Sequence, residues 1–408
     1  AWESVKRHFR EMGHDTQTQD FTVVGVGDMS GDVFGNGMLL SKALKLVAAF
    51  DHRHIFIDPA PDPAASWKER ARMFALPRSS WDDYDKSLIS KGGGVFPRSA
   101  KTIKLSKQAR EALGIDAKEI EPEALITAIL RAPVDLMWFG GIGTYVKAPQ
   151  ENHIQVGDPA NDALRVDATE VRARVIGEGA NLGVTQAGRI AFSMKGGRIN
   201  TDFIDNSAGV DCSDNEVNIK IALAAATKSG RLSEDKRNAL LASMTDDVAA
   251  LVLEDNRLQA LALSIAESGG AGAIPAYVRL IERLEEVSDF DRRTEGLADG
   301  EVLVRRAADG QGLTRPELAV LLSTYRFDKY KTKGGKDKKD SGVKSAVVVT
   351  SAAAAAKKLF AASEKVAAGV FLTRDLVTEV PNVLYPESFA AIIKKELAPM
   401  GIKVDILD

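Results

Sequence analysis

The residues best suited to chemistry gather in Gly25-Val-Gly27-Asp28-Met29-Ser30-Gly31, where three glycines are spaced G-x-G-x-x-x-G. Glycines so spaced allow a tight turn and the close approach of a pyrophosphate, whose charge is attracted by the N–H groups opening the next helix. The chemistry implied is dinucleotide binding. On the glycines alone, an unliganded strand-to-helix turn stands beside that reading, since the spacing is one residue longer than the usual fingerprint. Asp28 and Asp32 also bring negative charge to the proposed phosphate site. The acid expected to hold the ribose is Asp58, closing the strand 54–57, 33 positions after Gly25 instead of about 20.

The elements that position these residues are legible in part. Phe21 to Val24 reads as a buried strand, and Val33, Phe34, Met38, Leu40, Leu44 and Val47 fall on one helical face. A strand over 134–139 runs into a second glycine turn, Gly140-Gly141-Ile-Gly143. A third, over 174–176, leads into Gly177-Glu178-Gly179-Ala180-Asn181, while 90–97 reads as a loop. Repeated strand, turn and helix units predict an α/β fold, a Rossmann-like doubly wound parallel sheet with ligands at the carboxyl ends of its strands. Helical patterns dominate 215–322. A lysine- and glycine-rich linker follows over 323–345, then a small α/β tail over 346–408 with strands at 346–350 and 402–407 around two helices. The domain boundaries predicted are therefore 1–214, 215–322, 323–345 and 346–408.

Composition bounds the rest. The chain has 408 residues, 45% hydrophobic and 27% charged, with a net charge of −3. No basic excess points to nucleic acid, and no apolar run approaches a membrane span or a signal peptide. The single Cys212 excludes internal disulfides and a cysteine-based zinc site. A cytoplasmic protein is expected, with a homo-oligomer left open. The first residues, Ala1 followed by Trp2 to Phe9, read as the middle of a helix, so the chain is expected to begin partway through a longer protein.

Residues 1 to about 320 closely resemble the carboxyl-terminal part of the large bacterial NAD-dependent glutamate dehydrogenases. The resemblance is carried by Trp2-Glu-Ser-Val-Lys-Arg-His-Phe9, by 24–37, by Phe139-Gly-Gly-Ile-Gly-Thr-Tyr-Val146, by Gly177-Glu-Gly-Ala-Asn181 and by 206–215. It implies NAD as cofactor and L-glutamate and 2-oxoglutarate as the full-length substrates. The cofactor set it implies is Gly25, Gly27, Asp28, Met29, Ser30, Gly31, Asp58, Gly140 and Gly141, with Asn181 and Asn206 near the nicotinamide. Ser213 aligns with a serine that helps bind the substrate carboxylate. Turn and helix capping remain alternative roles for Asn181, Asn206 and Ser213. Gly27→Val is expected to leave the chain folded and block the pyrophosphate.

Oxidative deamination in that family also needs a lysine of low pKa and a carboxylate to move protons, and a glycine-rich lysine motif that grips the substrate, with the catalytic lysine upstream of the nucleotide units. No such motif occurs here, so the catalytic residues stay unassigned and the chain alone is expected to be inactive. From Tyr325 onward the chain resembles the bacterial leucyl aminopeptidases, through 325–332, 368–377 and 381–389. The chain thus reads as a composite of two truncated proteins. The peptidase's zinc ligands would lie beyond residue 408, and no metal ligand is assigned. The alternatives are a non-catalytic nucleotide-binding or assembly module and an aminopeptidase fragment.

Overall fold

A six-stranded sheet organises the protein. The computed structural model describes residues 1–287, 290–322, 353–378 and 384–405. In chain order the strands are β1 (Phe21–Val26), β2 (Leu44–Phe50), β3 (His54–Ile57), β4 (Gly94–Pro97), β5 (Leu136–Phe139) and β6 (Val175–Glu178). Across the sheet they lie β6-β5-β1-β2-β3-β4. The first four in that order pair in parallel, whereas β3 and β4 join antiparallel. The result is a mixed α/β fold with a parallel-rich central sheet.

Alternation along the strands sorts side chains onto two faces. Phe21, Val23, Leu44, Leu46, Leu136, Trp138 and Val175 enter one core, with residues of helices α1 (Trp2–Glu11), α2 (Asp32–Leu39) and α3 (Pro63–Ala75). Val24, Val26, Phe50, Met137, Phe139 and Ile176 enter the other, with helices α4 (Pro122–Leu130) and α5 (Gln186–Met194). Helices thus cover both faces, and the sheet is buried between them.

The register decides where the turns go. Val26 lies level with Phe50 on one side and Phe139 on the other, and Phe139 lies level with Glu178. Four carboxyl ends therefore finish in line. Gly27, Asp51, Gly140 and Gly179 leave the same edge of the sheet.

Several expectations are corrected here. Helix α2 stops at Leu39, and Leu44 opens β2 instead of continuing the helical face. Leu44–Phe50 is buried on both sides, so it lacks the alternation that would mark a strand. The stretch read as a loop contains β4, whose Phe96 and Gly94 pair with Ile55 and Ile57. The next parallel strand after β1 is therefore β2, and β3 runs the opposite way. Residues 402–405 carry no strand. The strand at 346–350 and the linker at 323–345 lie outside the described residues.

Two compact units are formed, Ala1–Val278 with Arg292–Leu322, and Arg279–Asp291 with Ser323–Asp408. In the first, the sheet is followed by helices that include α6 (Ser207–Lys228), α7 (Thr245–Glu267) and α8 (Arg315–Leu321). Helices Ala353–Thr378 and Pro386–Leu397 belong to the second. Among the described residues no helix is long and apolar enough to cross a membrane.

Helix α1 brings a buried histidine into the core. His8 is fully buried and neither ring nitrogen has a hydrogen-bond partner. Burial, reinforced by the positive charges of Arg315, Arg198 and Arg7, holds its pKa well below the usual 6.5. The unfolded chain then takes up a proton that the folded one refuses, so stability is lost as pH falls below 6.5. Urea titrations at a series of pH values should show this slope in the wild type, and His8→Met should flatten it.

Candidate functional site

The carboxyl edge of the sheet opens into a crevice of about 410 Å³. Its walls are Gly27, Asp28 and Gly31 from the turn after β1, Gly140, Gly141 and Ile142 after β5, and Asp51 and His52 after β2. Arg98, Tyr145 and Asn161 complete it. Backbone bonds fix these turns to one another. Gly27 N–H donates to the Phe50 carbonyl at 2.8 Å, and Gly140 N–H to that of Val26 at 2.9 Å. Trp81 Nε1 donates to the Gly27 carbonyl at 3.0 Å.

The glycines also have a packing duty that their spacing does not show. Gly27 has φ of +137°, a conformation suited to glycine, and a Cβ there would lie 2.8 Å from the Phe34 ring. A Cβ on Gly25 would lie 2.6 Å from the same ring, and one on Gly140 2.6 Å from Phe34 Cβ. These three positions close on Phe34, a core residue. The expectation that Gly27→Val leaves the chain folded is therefore corrected: the added side chain meets the core before it meets any ligand.

The helix start is also partly engaged. Asp28 Oδ1 accepts from Ser30 N–H at 2.9 Å, Ser30 Oγ at 2.6 Å and Gly31 N–H at 3.0 Å. Gly31 caps α2 with extended backbone. The bonds from Ser30 and Gly31 shape the turn, and the N–H groups of the first turn of α2 lack intrahelical partners, as at any helix start. Met29 points into the core and is fully buried, while Ser30 is exposed.

Asp58 is not in the crevice. It is fully buried, accepting from Ser90 N–H at 3.1 Å and from Ser90 Oγ. Burial raises its pKa, against those two bonds. The physical reason is topological: Asp58 follows the antiparallel strand β3, whereas the acid at the end of the parallel neighbour of β1 is Asp51. Asp51 Oδ1 accepts from Arg53 N–H at 2.7 Å and His54 N–H at 2.6 Å. Its Oδ2 is buried without a partner. Counted from Gly25, Asp51 stands 26 positions on and Asp58 33, so Asp51 is the nearer of the two to the usual interval of about 20.

The third turn brings two predicted residues together. Asn206 Nδ2 donates to Asn181 Oδ1 at 2.6 Å, across 25 positions of sequence. Beneath Asn181, Glu178 is fully buried and grips Arg189, with Nε at 2.7 Å and Nη2 at 2.9 Å from its two oxygens. Arg189 Nη2 lies 3.2 Å from Asp202, which also accepts from Leu182 N–H at 3.0 Å. Asp205 accepts from Glu178 N–H at 3.1 Å and from Asn200 Nδ2 at 2.9 Å. This network sets the loop bearing Asn181 and the helix end bearing Asn206. Ser213 lies within α6, exposed, its Oγ donating to the Gly209 carbonyl one turn back at 3.1 Å.

Such a sheet, with glycine turns gathered at one carboxyl edge, defines an α/β protein of the kind that binds ligands there. The chain belongs to the bacterial NAD-glutamate dehydrogenase family, whose catalytic-domain model matches residues 1–266. The NAD-specific glutamate dehydrogenase of Mycobacterium tuberculosis is 59% identical over 333 residues, 80% of this chain and 20% of that protein. That of Pseudomonas aeruginosa is 48% identical over 412 residues, all of this chain and 24% of that protein. The chain thus spans a fifth to a quarter of the length of these relatives. A probable cytosol aminopeptidase of Rhizobium rhizogenes is 50% identical over 103 residues, 24% of this chain and 20% of that protein.

Proposed function

We propose that this chain is the coenzyme-binding part of an NAD-dependent glutamate dehydrogenase, a Rossmann-like module within an enzyme that converts L-glutamate to 2-oxoglutarate and ammonia. NAD supplies the hydride acceptor when bound. Within the crevice, Gly27, Gly31, Gly140 and Gly141 bring no side chain to the wall, which leaves room for the pyrophosphate to approach the first turn of α2. Asp51 is the ribose acceptor. The observation that carries this reading is that Asp51, unlike Asp58, lines the crevice while its Oδ2 has no hydrogen-bond partner. A carboxylate oxygen there suits a ribose 2′-hydroxyl, and would repel the 2′-phosphate of NADP. Asn181 and Asn206 orient the carboxamide end.

The proton-moving half of the reaction belongs elsewhere in the longer enzyme. Deamination needs a lysine of low pKa and a carboxylate at the substrate, and among the described residues no lysine lines this crevice. The chain alone should therefore bind NAD and show no glutamate turnover. Measurable reduction of NAD by glutamate would overturn that division of labour.

Asp51→Asn should weaken NAD roughly tenfold or more, the value of a hydrogen bond to a charged acceptor, while NADP changes less. Asp58→Asn should leave NAD affinity near wild type, because its side chain answers to Ser90 and not to the crevice. Calorimetric titration of both variants with both nucleotides separates the two acids. Equal losses for Asp51→Asn and Asp58→Asn would remove Asp51 from the ribose role.

A further inference from the structure

We propose that the crevice carries a divalent-cation site formed by Asp28, Asp51 and His52, and that a cation bound there excludes the nucleotide. The second half of this proposal rests on the nucleotide reading of the crevice. One donor atom from each of the three side chains lies within 4.8 Å of the other two. Asp51 is only 8% exposed, and its Oδ2 has no hydrogen-bond partner. Its Oδ1 is already engaged by Arg53 and His54 N–H. The cationic side chain of the crevice wall, Arg98, gives its Nη1 to the Asp51 carbonyl oxygen instead of the carboxylate. Two carboxylates and an imidazole therefore converge, and a buried acceptor among them is left unsatisfied.

The donor set selects the metal. Two carboxylate oxygens with one imidazole nitrogen suit Zn²⁺, whereas Mg²⁺ and Ca²⁺ favour oxygen shells. Zinc bonds of about 2.0–2.2 Å hold tetrahedral donors roughly 3.3 Å apart. His52 is exposed, so its ring can turn toward a cation held by the two carboxylates, with water in the fourth position. The antagonism follows from one atom. Asp51 has a single free carboxylate oxygen, and when it ligates a cation it no longer offers itself to a ribose hydroxyl.

The test uses the chain freed of metal by chelator. Calorimetry with ZnCl₂ alone should show one site per chain, and MgCl₂ should give no comparable heat. His52→Ala, at an exposed position, should weaken zinc by about tenfold or more. NAD should bind the zinc-loaded chain about tenfold more weakly than the metal-free chain, and His52→Ala should abolish that difference. Absence of a zinc site, or a site indifferent to His52→Ala, overturns the cation site. Zinc binding that leaves NAD affinity unchanged overturns the exclusion. Failure of the nucleotide reading looks different: the metal-free chain then binds zinc but no NAD, which supports the cation site and removes the antagonism.

Discussion

Phe34→Ala is expected to lower the stability of the chain by about 3–5 kcal/mol, the range for emptying a buried aromatic site. Phe34 is fully buried at the start of α2, edge-on to Trp81 with centroids 5.8 Å apart. Gly25, Gly27 and Gly140 all close on it, none having space for a Cβ. The cavity left by alanine is therefore framed by glycines, which carry no side chains to collapse into it. A fall in urea midpoint with unchanged slope would register the loss as stability. NAD binding should weaken in the same variant, because the ring and Trp81 brace the turn whose backbone faces the ligand. Gly25→Ala is the complementary probe: it overfills the same contact and should be destabilising by about 1–3 kcal/mol. A stable Phe34→Ala chain would mean that the turn is held without its core anchor.

The second large effect is expected from Arg189→Met. Breaking a buried ion pair by removing one partner is destabilising by about 3–5 kcal/mol where the other group stays charged, so the full loss is expected above pH 7, where Glu178 is ionised. Glu178 is fully buried, and Arg189 is the cation it shares with Asp202. Glu178→Gln combined with Arg189→Met should lose less than Arg189→Met alone, and thermal or urea unfolding of the three chains measures the coupling. A double variant no better than the single would show that the pair acts only through its packing.

The same pair has a pH signature. Burial pushes the Glu178 carboxyl up to about 7, with Asp202 and Asp205 adding to the rise and Arg189 opposing it. Its folded value thus lies above the unfolded 4.5, so the folded chain holds this proton more tightly. The corresponding stability is present below 4.5 and lost as pH rises towards 7. His8 acts with the opposite sign, losing stability as pH falls below 6.5. Each slope is read as the difference between wild type and its own variant, Glu178→Gln or His8→Met.

The amino-acid sequence by itself determined the family, the α/β class and the three glycine turns, because these are local patterns of strand, glycine and helix repeated in order. It also pointed to Asn181 and Asn206, which the structure joins through a 2.6 Å bond. It misassigned what depends on strand direction and on neighbours remote in sequence. Leu44–Phe50 is apolar on both faces and could not be told from a helix by period alone. With that strand missed, the reading moved to the next one and chose Asp58, which the fold buries outside the crevice that Asp51 lines. Only the tertiary fold decides that β3 runs antiparallel, which carries Asp58 away from the parallel carboxyl edge. Only packing decides that Gly25 and Gly27 make way for Phe34, since a glycine's missing side chain does not say what occupies its place. The meeting of Asp28, Asp51 and His52 has the same origin: side chains from two separate turns become neighbours when β1 and β2 end in register.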